Sequence, residues 1–322
     1  MTLRLVATRL VALFSLLLLI GSVSPVGAAT ETVRIGVGAI YPSYAVFLAA
    51  KDLGYYKERD LNVEITTFRG GPAAQEALAA GSVDMCSIHP SGASLAIDKG
   101  VKEQIVALFT PPQPAGWHIM VLSGSPIKSV ADLNGKTIGV TQKGSLTDFW
   151  VQRAAKNAGI TVTTVPLGGG VDAGLRAKQV DAAILWPLFS YKGLVDGDLR
   201  SIINLETALR PTVSEGVAAS ADLIEKRPDV LRRWLAATSK AVVYMQGHES
   251  WTVDYLKKYF DESDDRVARL VYRNFIMKIR PDGAMQPAWE QDALELGAAA
   301  GVAHVLPADK VFSTAFTPIK SR

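Results

Sequence analysis

Thr137-Ile138-Gly139-Val140-Thr141-Gln142-Lys143-Gly144-Ser145-Leu146-Thr147-Asp148-Phe149-Trp150 is the stretch whose reading decides the fold. It opens on a short apolar, β-branched run and breaks at Gln142–Gly144. Ser145, with Asp148 three residues later, then reads as a capped helix start, and Gly159 marks that helix's stop. Strand, short loop and helix in succession form the unit of an α/β protein, in which helices cover the faces of a sheet.

The same unit recurs on both sides. Val33–Val37, Val63–Phe68, Met85–Ile88, Ile105–Phe109, His118–Leu122, Val162–Val165 and Ala182–Leu185 read as further strands, joining Thr137–Thr141. Most are apolar on both faces, as strands of a largely parallel, helix-covered sheet should be. Helices are expected over Tyr44–Leu53 after Ser43, over Pro72–Ala80 up to Gly81, and after Ser91 as far as Gly100. The last third changes character: Pro228–Gln246, Ser250–Phe260, Ser263–Met277 and Pro287–Ala300 all read as helices. Two joints suggest themselves, the proline cluster Pro111, Pro112 and Pro114, and Arg210–Ser214 around Pro211. Two crossings between two α/β lobes would explain both; ordinary loops are the alternative.

The 322 residues suffice for one large or two medium domains, and 48% apolar with 20% charged residues excludes wholesale disorder. Residues 1–28 read as a cleaved signal peptide. Arg4 and Arg9 are basic, Leu10–Ile20 is apolar but short for a membrane span, and Val26-Gly27-Ala28 offers small residues for cleavage. No cysteine follows that run, so a lipid anchor is not expected, and the protein is expected in the periplasm. Lys plus Arg number 34 against 31 Asp plus Glu, and two of the bases lie in the leader. A near-neutral remainder gives no footprint for nucleic acid. The single cysteine, Cys86, permits no internal disulfide and no Cys-based zinc site.

In an open α/β sheet the loops at the carboxyl ends of the strands carry the ligand site. Those loops hold Tyr41, Pro42, Ser43, Gly70, Gly71, His89, Ser91, Lys143, Ser145, Thr147 and Trp186. Several run straight into helix N-termini, whose unpaired N–H groups bind anionic or strongly polar groups. Small and hydroxylated residues let a ligand approach that backbone, while Tyr41, Tyr44, Trp186 and Phe189 could wall a site. Each has a plainer role available. Gly70 and Gly71 suit a turn, Ser91 and Ser145 suit helix caps, Trp186 suits a core, and Lys143 and Arg69 suit a solvated surface. Catalytic patterns are missing: there is no His-Glu-x-x-His, no Gly-x-Ser-x-Gly and no phosphate loop. The four histidines, at 89, 118, 248 and 304, have no metal-ligand spacing. Binding without a cofactor or metal is expected rather than catalysis.

Five phrases carry a family resemblance: Gly54-Tyr55-Tyr56-Lys57-Glu58-Arg59-Asp60-Leu61-Asn62-Val63-Glu64, Ala79-Ala80-Gly81-Ser82-Val83-Asp84-Met85, Val130-Ala131-Asp132-Leu133-Asn134-Gly135-Lys136-Thr137-Ile138-Gly139-Val140, Asp181-Ala182-Ala183-Ile184-Leu185-Trp186-Pro187 and Arg227-Pro228-Asp229-Val230-Leu231. In these the chain resembles the periplasmic solute-binding proteins of the nitrate/sulfonate/taurine/thiamine-precursor group, which serve ABC importers. The resemblance implies a two-lobed, type II periplasmic-binding-protein fold of mixed, mostly parallel sheets with a helical C-terminal part. Lobe I would take residues 29–112 and 214–322, lobe II residues 113–213, with the cleft between them. It also implies a monomer that closes on a small solute and delivers it to an ABC permease. The ligand positions it implies fall on Tyr41–Ser43, Gly70–Pro72, His89–Ser91, Lys143–Thr147 and Trp186. His89 departs from the small residues common there, Trp186-Pro187 lacks an intervening acid, and no arginine clamp for a sulfonate is evident. The solute is thus expected to be a small anion or a small planar heterocycle. A sensor feeding a signalling receptor, or an enzyme on the same fold, are the alternatives.

Overall fold

Two five-stranded sheets organise the chain, and both are built by the strand–loop–helix units described above. A computed structural model describes residues 30–111, 113–299 and 304–320; the expected signal peptide lies outside the described residues. The first sheet has the order β2-β1-β3-β10-β4, from β1 (Glu31–Val37), β2 (Leu61–Thr67), β3 (Met85–Ile88), β4 (Glu103–Ala107) and β10 (Gly216–Ser220). The second has the order β7-β6-β8-β5-β9, from β5 (His118–Leu122), β6 (Thr137–Val140), β7 (Thr163–Pro166), β8 (Ala182–Leu185) and β9 (Leu199–Asn204). Pairings β1–β2, β1–β3, β6–β7 and β6–β8 are parallel. β10 runs antiparallel to both β3 and β4, and β5 antiparallel to both β8 and β9.

Four strands of each sheet therefore point one way, and a single reversed strand sits second from an edge. That strand is in each case the first one the chain forms after crossing from the other sheet. The two crossings lie side by side, because the Thr110 hydroxyl donates to the Glu215 carbonyl at 3.0 Å.

Helix boundaries follow the local chemistry. Helix Pro42–Asp52 starts with proline in its first turn, where the missing N–H is no loss. Helix Leu146–Ala158 is capped by Ser145, which accepts from the Asp148 N–H, and ends at Gly159 in the left-handed conformation. Helix Pro90–Asp98 corrects one expectation: its cap is His89, not Ser91, because the His89 Nδ1 accepts from the Ser91 N–H at 3.2 Å. The Ser91 hydroxyl instead donates to the Ala293 carbonyl at 2.7 Å, fastening the C-terminal helix Pro287–Ala299 onto the first sheet's helices.

One apolar cluster runs from Val33 and Ile35 through Tyr41, Trp117 and Trp186 to Ile184 and Val140, spanning both sheets. Trp234, on the long helix Pro228–Gly247, packs its ring against Phe47, Tyr56 and Phe109 and fixes that helix to the first sheet. Among the described residues no helix is long and apolar enough to cross a membrane.

Candidate functional site

The carboxyl ends of β1, β3, β6 and β8 converge on a narrow cavity with about 430 Å³ of empty space, mouth included. The enclosed part holds only about 30 Å³, the room of little more than a water, so a solute would enter only with the two sides apart. Gly38, Ala39, Tyr41, Tyr44, Gly70, Gly71, Ile88, His89 and Glu215 line it from the first sheet's side; Trp117, Thr141, Ser145, Leu146, Thr147 and Trp186 line it from the second.

Loop contacts hold the two sides together over this cavity. The Trp186 indole N–H, at the end of β8, donates to the Ile40 carbonyl beyond β1 at 2.8 Å. The His89 ring lies 5.3 Å, centroid to centroid, from Phe149 on helix Leu146–Ala158. Gly70, at a φ of +154°, lies so close to Gln142 in the loop beyond β6 that a Cβ there would stand 2.8 Å from its Oε1. Only glycine combines that backbone angle with that approach.

Aromatic rings form the wall. Trp117 donates its indole N–H to the Tyr41 hydroxyl at 3.1 Å, and its ring stands 5.4 Å from Tyr41 and 6.0 Å from Trp186. Below them Thr141, Ser145 and Thr147 make a closed triangle of hydroxyls. Thr141 donates to Ser145 at 2.9 Å, and Thr147 lies 2.9 Å from Thr141 and 2.7 Å from Ser145. The Thr141 N–H also donates to the Thr147 hydroxyl. These hydroxyls satisfy one another in a rigid array, and lone pairs and protons can be re-aimed toward a solute at little cost.

Two ionisable groups set the electrostatics. Burial drives the His89 imidazole down to about 3, so it is neutral. Because its Nδ1 accepts from Ser91, the ring proton sits on Nε2, a buried atom without a partner among the described residues. Glu215 is enclosed by the first sheet yet keeps some accessible surface, and burial pushes its carboxyl up to about 7. The Tyr44 hydroxyl at 2.5 Å and the Ser87 hydroxyl at 3.3 Å both donate to its Oε2 and offset part of that rise. Burial, followed by the Glu215 charge, holds Tyr41 and Tyr44 well above the usual phenol range. Among the described residues no lysine or arginine lines the cavity.

Of the residues singled out from the sequence, Tyr41, Gly70, Gly71, His89, Ser145, Thr147 and Trp186 stand together around this cavity. Pro42, Ser43, Ser91 and Lys143 do not line it. Pro42 and Ser43 are buried in the first turn of their helix, and Ser91 is tied to Ala293. Lys143 is drawn away, its ammonium donating to the Thr164 hydroxyl, which in turn donates to Asp148 at 2.6 Å. Thr141, Trp117 and Glu215 line the cavity without having been picked as candidates. Among the described residues no cluster of His, Cys, Asp and Glu could hold a metal ion.

The profile of the NMT1/THI5-like family matches residues 41–250. The chain belongs to the NMT1/THI5-like family. A protein of Brucella abortus provisionally named a binding protein is 26% identical over 265 residues, covering 79% of this chain and 81% of that protein. An Escherichia coli protein provisionally named for binding aliphatic sulfonates is 29% identical over 233 residues, covering 71% of this chain and 72% of the relative. In architecture the chain is similar to the alkanesulfonate-binding protein of Xanthomonas axonopodis pv. citri bound to MOPS. That likeness has a TM-score of 0.75 at 22% identity and covers 88% of this chain and 99% of the other. The two-lobed periplasmic-binding-protein fold of this NMT1/THI5-like chain is thereby established, with its cavity between the two sheets.

Proposed function

We propose that this protein is an extracytoplasmic solute-binding protein of an ABC importer. It captures one small solute between its two lobes and delivers it, enclosed, to a membrane permease. The observation that carries this reading is the cavity itself. It draws its walls from the loops of both sheets, and contacts such as Trp186 to Ile40 can exist only while those loops are together. A solute that touches both walls stabilises the closed arrangement and not the open one, which is how binding becomes a shape a permease can read. Relatives named as binding proteins support the same reading. In this view lobe I comprises residues 29–112 and 214–322 and lobe II residues 113–213, and a leader of residues 1–28 directs export.

The test is native mass spectrometry of the protein recovered from its own host, followed by thermal unfolding with candidate solutes. The panel holds sulfonates, taurine, nitrate, pyrimidines, aromatic acids and amidines. A solute at ~100 times its dissociation constant adds about 2.7 kcal/mol of stability, a readily measured shift. One class giving a saturable shift, recovered unchanged after binding, supports the reading. No adduct from the host and no shift from the panel would sink it, and so would chemical turnover of a bound solute.

A further inference from the structure

We infer that the cavity reads its solute through Glu215 and takes a planar group that brings N–H donors and positive charge, of the amidinium or guanidinium kind, in preference to a bare oxyanion. The inference rests on the solute-binding reading and chooses between the two kinds of solute the sequence leaves open. Three features point the same way.

The first is the charge inventory. Among the described residues, the one lining residue that ionises near neutral pH is an acid, and no lysine or arginine lines the cavity to balance it or to receive an oxyanion. An oxyanion enclosed here would face the Glu215 carboxylate in a medium of low dielectric, or would require that carboxyl to take up a proton. A cationic N–H donor does the reverse, supplying the counter-charge that burial denies Glu215 in the empty site.

The second is shape. Tyr41, Tyr44, Trp117 and Trp186 present aromatic surface, which suits a flat ring and attracts a delocalised cation through its π-face. The third is the pattern of spare bonding. Among the described residues, Tyr44 and Ser87 both bond the Glu215 carboxylate through Oε2. A planar pair of N–H donors can meet a carboxylate in the fork geometry that favours such pairs. The unpartnered Nε2–H of His89 is the complementary donor for a ring nitrogen or carbonyl on the same solute.

The titratable groups acting on Glu215 are Tyr41, Tyr44 of helix Pro42–Asp52, and Cys86 of β3; all are held high by burial and stay neutral between pH 6 and 8. His89 is neutral over the same range. Glu103 on β4, beside β10, is also pushed up to about 7 by burial but does not line the cavity, so Glu215 is the lining group whose charge changes over that range. With its carboxyl at about 7, its ionised fraction rises about tenfold from pH 6 to pH 8.

The experiment is calorimetric titration of the full secreted chain, dialysed free of solute, with benzamidine and guanidinium, and with methanesulfonate and nitrate. It is run at pH 6 and pH 8 on the wild type and on Glu215→Gln. The inference expects benzamidine or guanidinium to bind about tenfold more tightly at pH 8. Glu215→Gln should lose that pH dependence and weaken binding at pH 8 by on the order of thirtyfold or more. The variant's melting temperature at pH 8 should stay at or above that of the wild type, which separates lost recognition from lost folding. Methanesulfonate or nitrate binding that is unchanged or tightened by Glu215→Gln, with the cations silent, overturns the inference and leaves the solute-binding reading intact. Silence of all four probes, with a host-derived solute seen by mass spectrometry that lacks a basic nitrogen, overturns it in the same way. Silence with no host-derived solute overturns both.

Discussion

Replacing Trp186 with Phe tests whether the cavity is a closing cleft or simply the core of a rigid body. Trp186 is 2% exposed at the end of β8, and its indole N–H reaches the Ile40 carbonyl beyond β1 at 2.8 Å. Phenylalanine keeps an aromatic ring against Phe189 and Trp117 but removes that donor. A hydrogen bond of this kind contributes a net ~0.5–1.5 kcal/mol, because the open state replaces it with water. If the bond exists only when the loops meet, its whole value falls on the closed state, and the closed-to-open ratio should drop by about two- to twelvefold. The apparent affinity for any solute that requires closure should fall by at most the same factor.

The assay is single-molecule energy transfer between dyes on Asn62 of β2 and Lys156 of helix Leu146–Ala158, each changed to cysteine. Both positions are exposed, and the native Cys86 is buried and will not compete for label. The expected result is a shift of the solute-free population toward the longer distance, with a loss of unfolding stability of no more than ~1–2 kcal/mol for the smaller ring. An unchanged distance distribution together with a large fall in melting temperature would refute the reasoning, and Trp186 would then be core.

Gly70→Ala should hold the cleft open: the new Cβ would stand 2.8 Å from Gln142 Oε1 and 3.1 Å from its Cβ, at a φ of +154° that costs ~1–3 kcal/mol in its own right. Binding at least tenfold weaker, with the dye pair at its open distance, is the expected outcome; wild-type affinity would show that the loops do not need this approach. Glu103→Gln addresses stability rather than binding. Glu103 is 5% exposed on β4, and burial pushes its carboxyl up to about 7 against the opposing effect of the nearby Gln75 amide. A carboxyl raised in the folded state is no burden below its unfolded value near 4.5 and costs stability progressively as pH climbs through 7. The variant should therefore match the wild type near pH 4.5 and exceed it at pH 8 by up to ~3 kcal/mol, by urea unfolding. Parallel curves for the two proteins across that range would exclude a titrating Glu103.

Much of the fold was legible because its strands announce themselves locally. Met85–Ile88, His118–Leu122 and Ala182–Leu185 are apolar runs bounded by loop residues, and they form β3, β5 and β8 with the expected limits. β9 and β10 were not expected. Gly216-Val-Ala-Ala-Ser220 has too little β-branched or aromatic content to declare a strand, and the ladder it completes between β3 and β4 makes it one. The site divides in the same way. Gly70, Ser145 and Thr147, which line the cavity, could be singled out because they stand where helices begin at strand ends, a local pattern. Lys143 lies off the cavity lining because its environment is set by Thr164 on β7, twenty-one positions away, whose hydroxyl is in turn held by the Asp148 carboxylate. Ser91 was misplaced as a cap because an imidazole can take the cap position when its Nδ1 is free to accept.

Trp117 and Glu215 escaped detection for one shared reason, and it lies in the topology. Each immediately precedes a reversed strand, Trp117 before β5 and Glu215 before β10, and those strands occupy the same place in the two sheet orders. A reversed strand begins where its parallel neighbours end, so the residue before it arrives at the carboxyl edge on which the βα loops converge. It also lies on the crossing between sheets, next to the axis about which the two sides would move. A side chain there can line the cavity and adjoin the crossing at once. The carboxylate of Glu215 lines the cavity while its carbonyl accepts from Thr110 on the other crossing. The sequence shows these positions only as the ends of two loops around prolines, because what brings them to the cavity is the direction of the strand that follows. In a two-sheet protein built this way, the residues entering the reversed strands belong in the search for ligand contacts alongside the loops that leave the parallel ones.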